Sequence, residues 1–108
     1  MGARSLAVMV LLMASVADTC AETVVLLRGK AAFDWHSNPS RQRCVIVDGP
    51  LLADFNSTKY RCDLEPKSNA ETKAIYRVCT AVKGGAEFLI FETRAACESE
   101  RKAQAANQ

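Results

Sequence analysis

Cysteine is the residue type in this chain best placed to do chemistry. Cys44, Cys62, Cys79 and Cys97 follow one another at separations of 18, 17 and 18 residues. Zinc and thioredoxin-type sites need closely spaced Cys pairs, and these four form none. An even set at such spacing, in an oxidising compartment, reads as two structural disulfides. His36 is the next candidate, the sole histidine, in Phe33-Asp34-Trp35-His36 beside the sole tryptophan. General acid–base work needs such a histidine positioned against a partner, for which Asp34, Asp48 and Asp54 are available. A lone His next to a Trp in a polar loop reads more simply as a surface residue capping a core aromatic. Glu98 and Glu100 fall on opposite sides of a helix and cannot share a proton. Neither phosphate-loop nor zinc-protease motifs occur. No catalytic residue, metal site or cofactor is therefore assigned, and a non-enzymatic role is expected.

Trp35, His36, Phe33 and Tyr60 could instead line a binding surface, since aromatics dominate recognition hot spots. The competing use of Trp35, Phe33, Phe55 and Tyr60 is to fill a small core. Asn56-Ser57-Thr58 satisfies the N-glycosylation sequon, which matters only in a eukaryotic secretory pathway.

These residues belong to a chain that reads as an export precursor. Arg4 precedes an uncharged stretch, Ser5 to Ala17, made mostly of Leu, Val, Met and Ala. That stretch is far short of the roughly 20 apolar residues that span a bilayer. Small residues at Thr19 and Ala21 place a cleavage before Glu22, with a cut after Ala17 as the alternative. Residues 1–21 are thus a signal peptide that carries Cys20 away, and residues 22–108 form one small disulfide-bonded domain. No stable membrane insertion is expected after cleavage, and the product is secreted or periplasmic. The net charge is +2 with acids and bases mixed along the chain, so the basic stripe that nucleic acid requires is missing.

The elements that must position these residues follow from periodicity and turn chemistry. Thr23 to Leu27 reads as a first strand or extended segment, and Arg28 to Ser40 as a loop. Arg43 to Val47 is a short strand stopped by the turn Asp48-Gly49-Pro50, and Leu51 to Phe55 is an apolar helical turn or covering segment. Thr58 to Leu64 is a further strand, and Glu65 to Thr72, containing Pro66, an exposed loop. Ala74 to Val82 and Glu87 to Phe91 form a hairpin about Gly84-Gly85, which sets Val82 opposite Glu87 and Cys79 opposite Ile90. Thr93 caps a helix over Arg94 to Ala106, where Glu98 and Lys102 stand in a favourable i,i+4 order. The Glu-Ser-Glu-Arg-Lys run of that helix reads as a solvated face.

Segments 44–62 and 79–97 align at an offset of 35 residues and share Val47 with Val82, Gly49 with Gly84 and Thr58 with Thr93. A weak internal repeat of two strand–turn–strand units would give each its own bridge. Cys44–Cys62 with Cys79–Cys97 is the preferred pairing, and Cys62–Cys79 with Cys44–Cys97 the competitor.

The fold expected is α+β: a small antiparallel sheet of three to four short strands with a C-terminal helix, stapled by two disulfides. Tyr60-Arg61-Cys62-Asp63 resembles the Tyr-x-Cys-Asp opening of periplasmic C-type lysozyme inhibitors over those four residues. No site residue is carried over from it. The function expected is that of an exported binding or accessory protein with an unknown protein partner. The alternative is an inhibitor of a secreted hydrolase, of protease or lysozyme type, that presents a stapled loop from residues 48–58 or 65–73.

Overall fold

The structure, a computed structural model, describes residues 24–107; the expected signal peptide, residues 1–21, and its expected cleavage site lie outside them. The chain folds as β1 (Ala31–Asp34), a 3-10 turn (Pro39–Arg41), β2 (Val45–Ile46), α1 (Gly49–Phe55), β3 (Tyr60–Ser68), β4 (Ile75–Ala81), β5 (Glu87–Phe91) and α2 (Arg94–Ala106). All strands pair antiparallel in one sheet of order β2-β1-β5-β4-β3. The α+β class, the C-terminal helix and the two disulfides are as expected. The sheet has five strands instead of three to four. The additional one is β1, inside the segment expected to be loop. Ala31, Ala32 and Phe33 are buried to 1% exposure or less, because a strand covered on both faces shows a continuous apolar run and not an alternation.

Each face of the sheet has its own core. Leu89 and Phe91 join Ala31, Phe33, Cys44 and Cys97 under α2, with Tyr76 and Val78 at the margin. Ile90 joins Ala32, Cys79, Val47, Leu52, Phe55 and Leu27 under α1, with Tyr60 and Phe88 packed alongside. Leu27 is not on a strand, contrary to expectation. The Leu27 N–H donates to the Val24 carbonyl at 3.1 Å, so the described part of that segment is a turn. A turn can bury Leu27 while leaving Leu26 exposed.

Three further boundaries differ for identifiable reasons. Asp48-Gly49-Pro50 starts α1 and does not simply end β2: the Asp48 side chain accepts from the Gly49 N–H, and Pro50 occupies the first turn, where its missing N–H costs nothing. β3 continues through Pro66 to Ser68, so the first half of the expected 65–72 loop is strand. Proline is tolerated there because β3 is an edge strand and its register shifts between Asp63 and Lys67. In the β4–β5 hairpin, Thr80 faces Glu87 and Cys79 faces Phe88, two residues away from the expected register. The Val82 N–H is held by the Lys59 carbonyl at 2.9 Å, and the Ala81 N–H donates to the Ala86 carbonyl. The loop is therefore four residues long, with Gly84 and Gly85 both at positive φ. A two-residue shift preserves the faces. α2 occupies the expected range, with Thr93 Oγ1 accepting the Ala96 N–H at 3.1 Å.

The preferred disulfide map is overturned: the bridges are Cys44–Cys97 and Cys62–Cys79. Cys79 lies in the core under α1 and Cys97 in the core under α2, so the sheet itself stands between them. Cys62 and Cys79 are instead directly opposed in the β3–β4 register, with Cα atoms 4.0 Å apart. Segments 44–62 and 79–97 also differ in element order, the first holding β2 and α1, the second a hairpin and the start of α2. Non-reducing peptide mapping of the native protein should yield linked peptides carrying Cys44 with Cys97 and Cys62 with Cys79. Cys62 is half-buried whereas both Cys44 and Cys97 are buried, so a small thiol should open Cys62–Cys79 first. In the chain-entropy model, removing the bridge across 53 residues costs about 4 kcal/mol and the one across 17 about 3 kcal/mol. Urea denaturation of the paired Cys→Ser variants checks that order.

Candidate functional site

The four aromatic-surface candidates do not share a surface. Phe33 is a core residue, stacked on Phe91 with ring centroids 6.1 Å apart. Trp35 and His36 occupy the turn after β1 and pack on each other at 4.3 Å. Tyr60 belongs to the α1 side of the sheet, edge-on to Phe55 at 5.1 Å and 6.2 Å from Phe88.

Of the carboxylates considered for His36, only Asp34 is beside it. Asp34 Oδ1 accepts the backbone N–H groups of His36 and Glu87, and Oδ2 accepts the Ser37 hydroxyl. This fixes the turn and leaves the imidazole free of Asp34. Its Nε2 lies 3.8 Å from Glu87 Oε1. Asp48 caps α1, and Asp54 pairs loosely with Lys59 at 3.7 Å. The partners observed for His36 are thus an indole and a carboxylate, neither of which it could activate as a nucleophile.

Glu87 is the organising group of this corner. Its carboxylate accepts the Trp35 indole N–H and, at 2.9 Å, the Thr80 hydroxyl. A groove of about 220 Å³ runs past it, lined by Trp35, Tyr76, Val78, Glu87, Leu89 and Gln104.

A larger cleft, of about 470 Å³, lies at the other face's margin, where the turn after α1 meets the β4–β5 loop. Asp54, Thr58, Lys59, Tyr60, Ala81, Val82 and Lys83 line it. The Tyr60↔Ala81 pairing and the Val82 to Lys59 hydrogen bond hold its two sides together. Burial, followed by the charges of Asp54 and Asp34, pushes the Tyr60 hydroxyl above the ordinary tyrosine range, so it stays a neutral proton donor. Lys59, Lys83 and Thr58 had no signal in the sequence, because their convergence depends on strand pairing. A third hollow of about 390 Å³ involves Asp48, Leu52, Arg28 and Asn56, which places the sequon asparagine on the surface at the end of α1.

The acidic run of α2 is not the solvated face expected. Glu98 Oε1 accepts the Cys44 backbone N–H at 2.9 Å, and its other oxygen takes Arg101. Arg101 in turn donates to the Pro39 carbonyl. Glu98 therefore pairs with Arg101, not Lys102. Glu100 is 2% exposed and accepts from Asn69 and Thr72 at the β3–β4 turn. Helix α2 buries only Cys97 as an apolar residue, so its side chains were free to seek polar anchors.

Among the described residues no cluster of three or more His, Cys, Asp or Glu could hold a metal ion, and no helix is long and apolar enough to cross a membrane. The Cys44 N–H, followed by Arg101, holds the Glu98 carboxyl below the usual glutamate range. A carboxyl with a depressed folded pKa contributes stability that is present above its unfolded value, about 4.3, and lost as pH falls through the folded value. The urea midpoint should fall as pH drops below that value, and Glu98→Gln should flatten part of the fall. An unchanged acid limb in that variant would show that the Cys44 contact carries no weight. No protein-family model matches the chain, no curated protein matches it in sequence, and no solved structure matches it.

Proposed function

We propose that the protein is exported and works as a non-enzymatic binding protein, with the Tyr60 cleft as its ligand site. The observation that carries this reading is the cleft itself. Its volume of about 470 Å³ lies within the 300–1,000 Å³ typical of small-molecule sites. Tyr60 is the aromatic residue that lines it, and Phe55 and Phe88 pack against that ring. Tyr60, Thr58 and Lys83 are among its lining residues and carry two hydroxyls and an ammonium. Lys59 has Asp54 as a partner, whereas no ion pair involves Lys83 among the described residues. Donors thus outnumber acceptors, which suits a small ligand with an apolar body and an anionic, hydrogen-bond-accepting end. Two bridges are compatible with an oxidising, extracytoplasmic location.

Benzoate and phenyl phosphate are suitable probes. Titration followed by backbone amide shifts should move residues 58–60 and 81–83 together and saturably. Tyr60→Phe, which keeps the ring packing, and Lys83→Ala should each weaken binding roughly tenfold, the cost of one charge-assisted or buried hydrogen bond. Shifts that never saturate, or that ignore both substitutions, would remove the cleft from consideration.

A second reading, inhibition of a secreted hydrolase, draws on the β3–β4 turn. The Cys62–Cys79 bridge encloses residues 65–73, and Glu100 fixes the turn through Asn69 and Thr72. A loop ordered in advance binds with less entropic loss. On this reading the oxidised protein inhibits a lysozyme or a serine protease, and potency collapses in the Cys62→Ser/Cys79→Ser double variant. Equal potency of the two forms would dispose of the stapled-loop mechanism.

A further inference from the structure

We infer that the Trp35 groove receives an arginine side chain from a partner polypeptide. The groove holds about 220 Å³, below the range of sites that engulf a whole small molecule. It has room for one long side chain and not for the body that carries it. Two of its lining residues are the aromatics Trp35 and Tyr76, and Val78 and Leu89 supply apolar surface. The one charged residue lining it is Glu87.

Among the described residues, Glu87 lacks the lysine or arginine partner that Glu98 and Glu92 have. Glu98, equally half-buried, is paired with Arg101 at 2.6 Å. Glu92 holds both Lys30, at 2.7 Å, and Arg77, at 2.8 Å. Glu87 is fixed only by neutral donors, the Trp35 indole and the Thr80 hydroxyl, and its nearest cationic candidate is His36 at 3.8 Å. Asp34, which accepts the Glu87 backbone N–H, adds a second negative charge without a lysine or arginine partner among the described residues. From β3, Arg61 is opposite Thr80 and exposed, and it makes no ion pair with Glu87. From α2, Gln104 faces the groove, while Arg101 is committed to Glu98 and Pro39. The carboxylate is thus oriented in advance and without a lysine or arginine partner, beside the Trp35 indole.

Guanidinium fits that combination better than ammonium. It is planar, stacks on aromatic faces, is weakly hydrated, and offers a fork of N–H donors to a carboxylate. A carboxylate has lone pairs to spare beyond the two donors already bound. The source is a polypeptide and not free arginine, because a groove of this size takes only the side chain. Outside it lies the exposed surface of Trp35 and His36, at 38% and, for the imidazole, 51%. A free amino acid would leave its charged α-groups there without partners, whereas a peptide would lay backbone against it. The site is on the α2 side of the sheet and shares no lining residue with the Tyr60 cleft.

Trp35 is the only tryptophan in the chain, which makes its fluorescence a report on this groove alone. The probe is acetyl-Gly-Arg-Gly-amide, titrated into the full oxidised protein, with the citrulline peptide, the lysine peptide and free L-arginine as comparison arms. We expect a saturable change with the arginine peptide and binding roughly tenfold weaker for citrulline, the worth of a charge-assisted contact. The lysine peptide should be weaker by a smaller factor, and free L-arginine weaker than the arginine peptide. Glu87→Gln removes the charge while its amide oxygen still accepts the Trp35 indole N–H and its NH2 can donate to the Thr80 hydroxyl oxygen, and it should reduce arginine binding to the citrulline level. Equal binding of the arginine and citrulline peptides to the unmodified protein, or no saturation, would overturn the proposal. Free L-arginine binding as tightly as the peptide would overturn the polypeptide source.

Discussion

The centre of the sheet, β1 with β5 and β4, is apolar on both faces, and a short chain has to cover both. Small domains bury a limited fraction of their surface, and here that burial is divided between two layers, neither thick. On one side the cover is the seven-residue α1 with Leu27. On the other it is α2, which inserts Cys97 and little else that is apolar. Everything else in the architecture answers this division. Each face has one disulfide: Cys62–Cys79 under α1, and Cys44–Cys97 joining α2 to the strand edge. Because the bridges serve different faces, neither could have exchanged partners without crossing the sheet.

Electrostatics supply what apolar contact does not in the α2 layer. Glu98 reaches the backbone at Cys44, Arg101 reaches the backbone at Pro39, and Glu100 reaches the β3–β4 turn. These are bonds from one helix to three separate parts of the chain. A helix rich in Ala, Glu, Lys and Arg forms readily on propensity alone, but propensity does not say where it docks. The carboxylates and the bridge decide that. Of these carboxylates only Glu98 has a cationic partner among the described residues; Glu100, like Glu87, is held by neutral donors.

What the sequence made legible was local chemistry. Thr93 marked the helix start, and the apolar run of β5 with the Gly84-Gly85 pair marked a hairpin, because cap and turn preferences act within a few residues. What it hid was anything decided by pairing partners. Ala31–Asp34 looks like loop until it is known to lie between β2 and β5. Pro66 looks like a strand terminator until β3 is known to be an edge. The hairpin register depends on the Lys59 carbonyl, 23 residues before Val82. The site followed the same rule. Tyr60 and Trp35 were visible as aromatics, while Lys83 and Glu87 acquire meaning only from what stands opposite them.

The nested order of the bridges has a consequence for life among proteases. The Cys62–Cys79 ring lies wholly inside the Cys44–Cys97 ring. Exposed turns are where nicking concentrates, and the turns at 69–73 and 82–85 both fall between Cys44 and Cys97. A single cut at either turn therefore leaves one covalent molecule, its fragments tethered by sulfur and its two layers still clamped to the sheet. Damage that would release half of an unbridged domain here leaves a hydrolysed link in a closed chain.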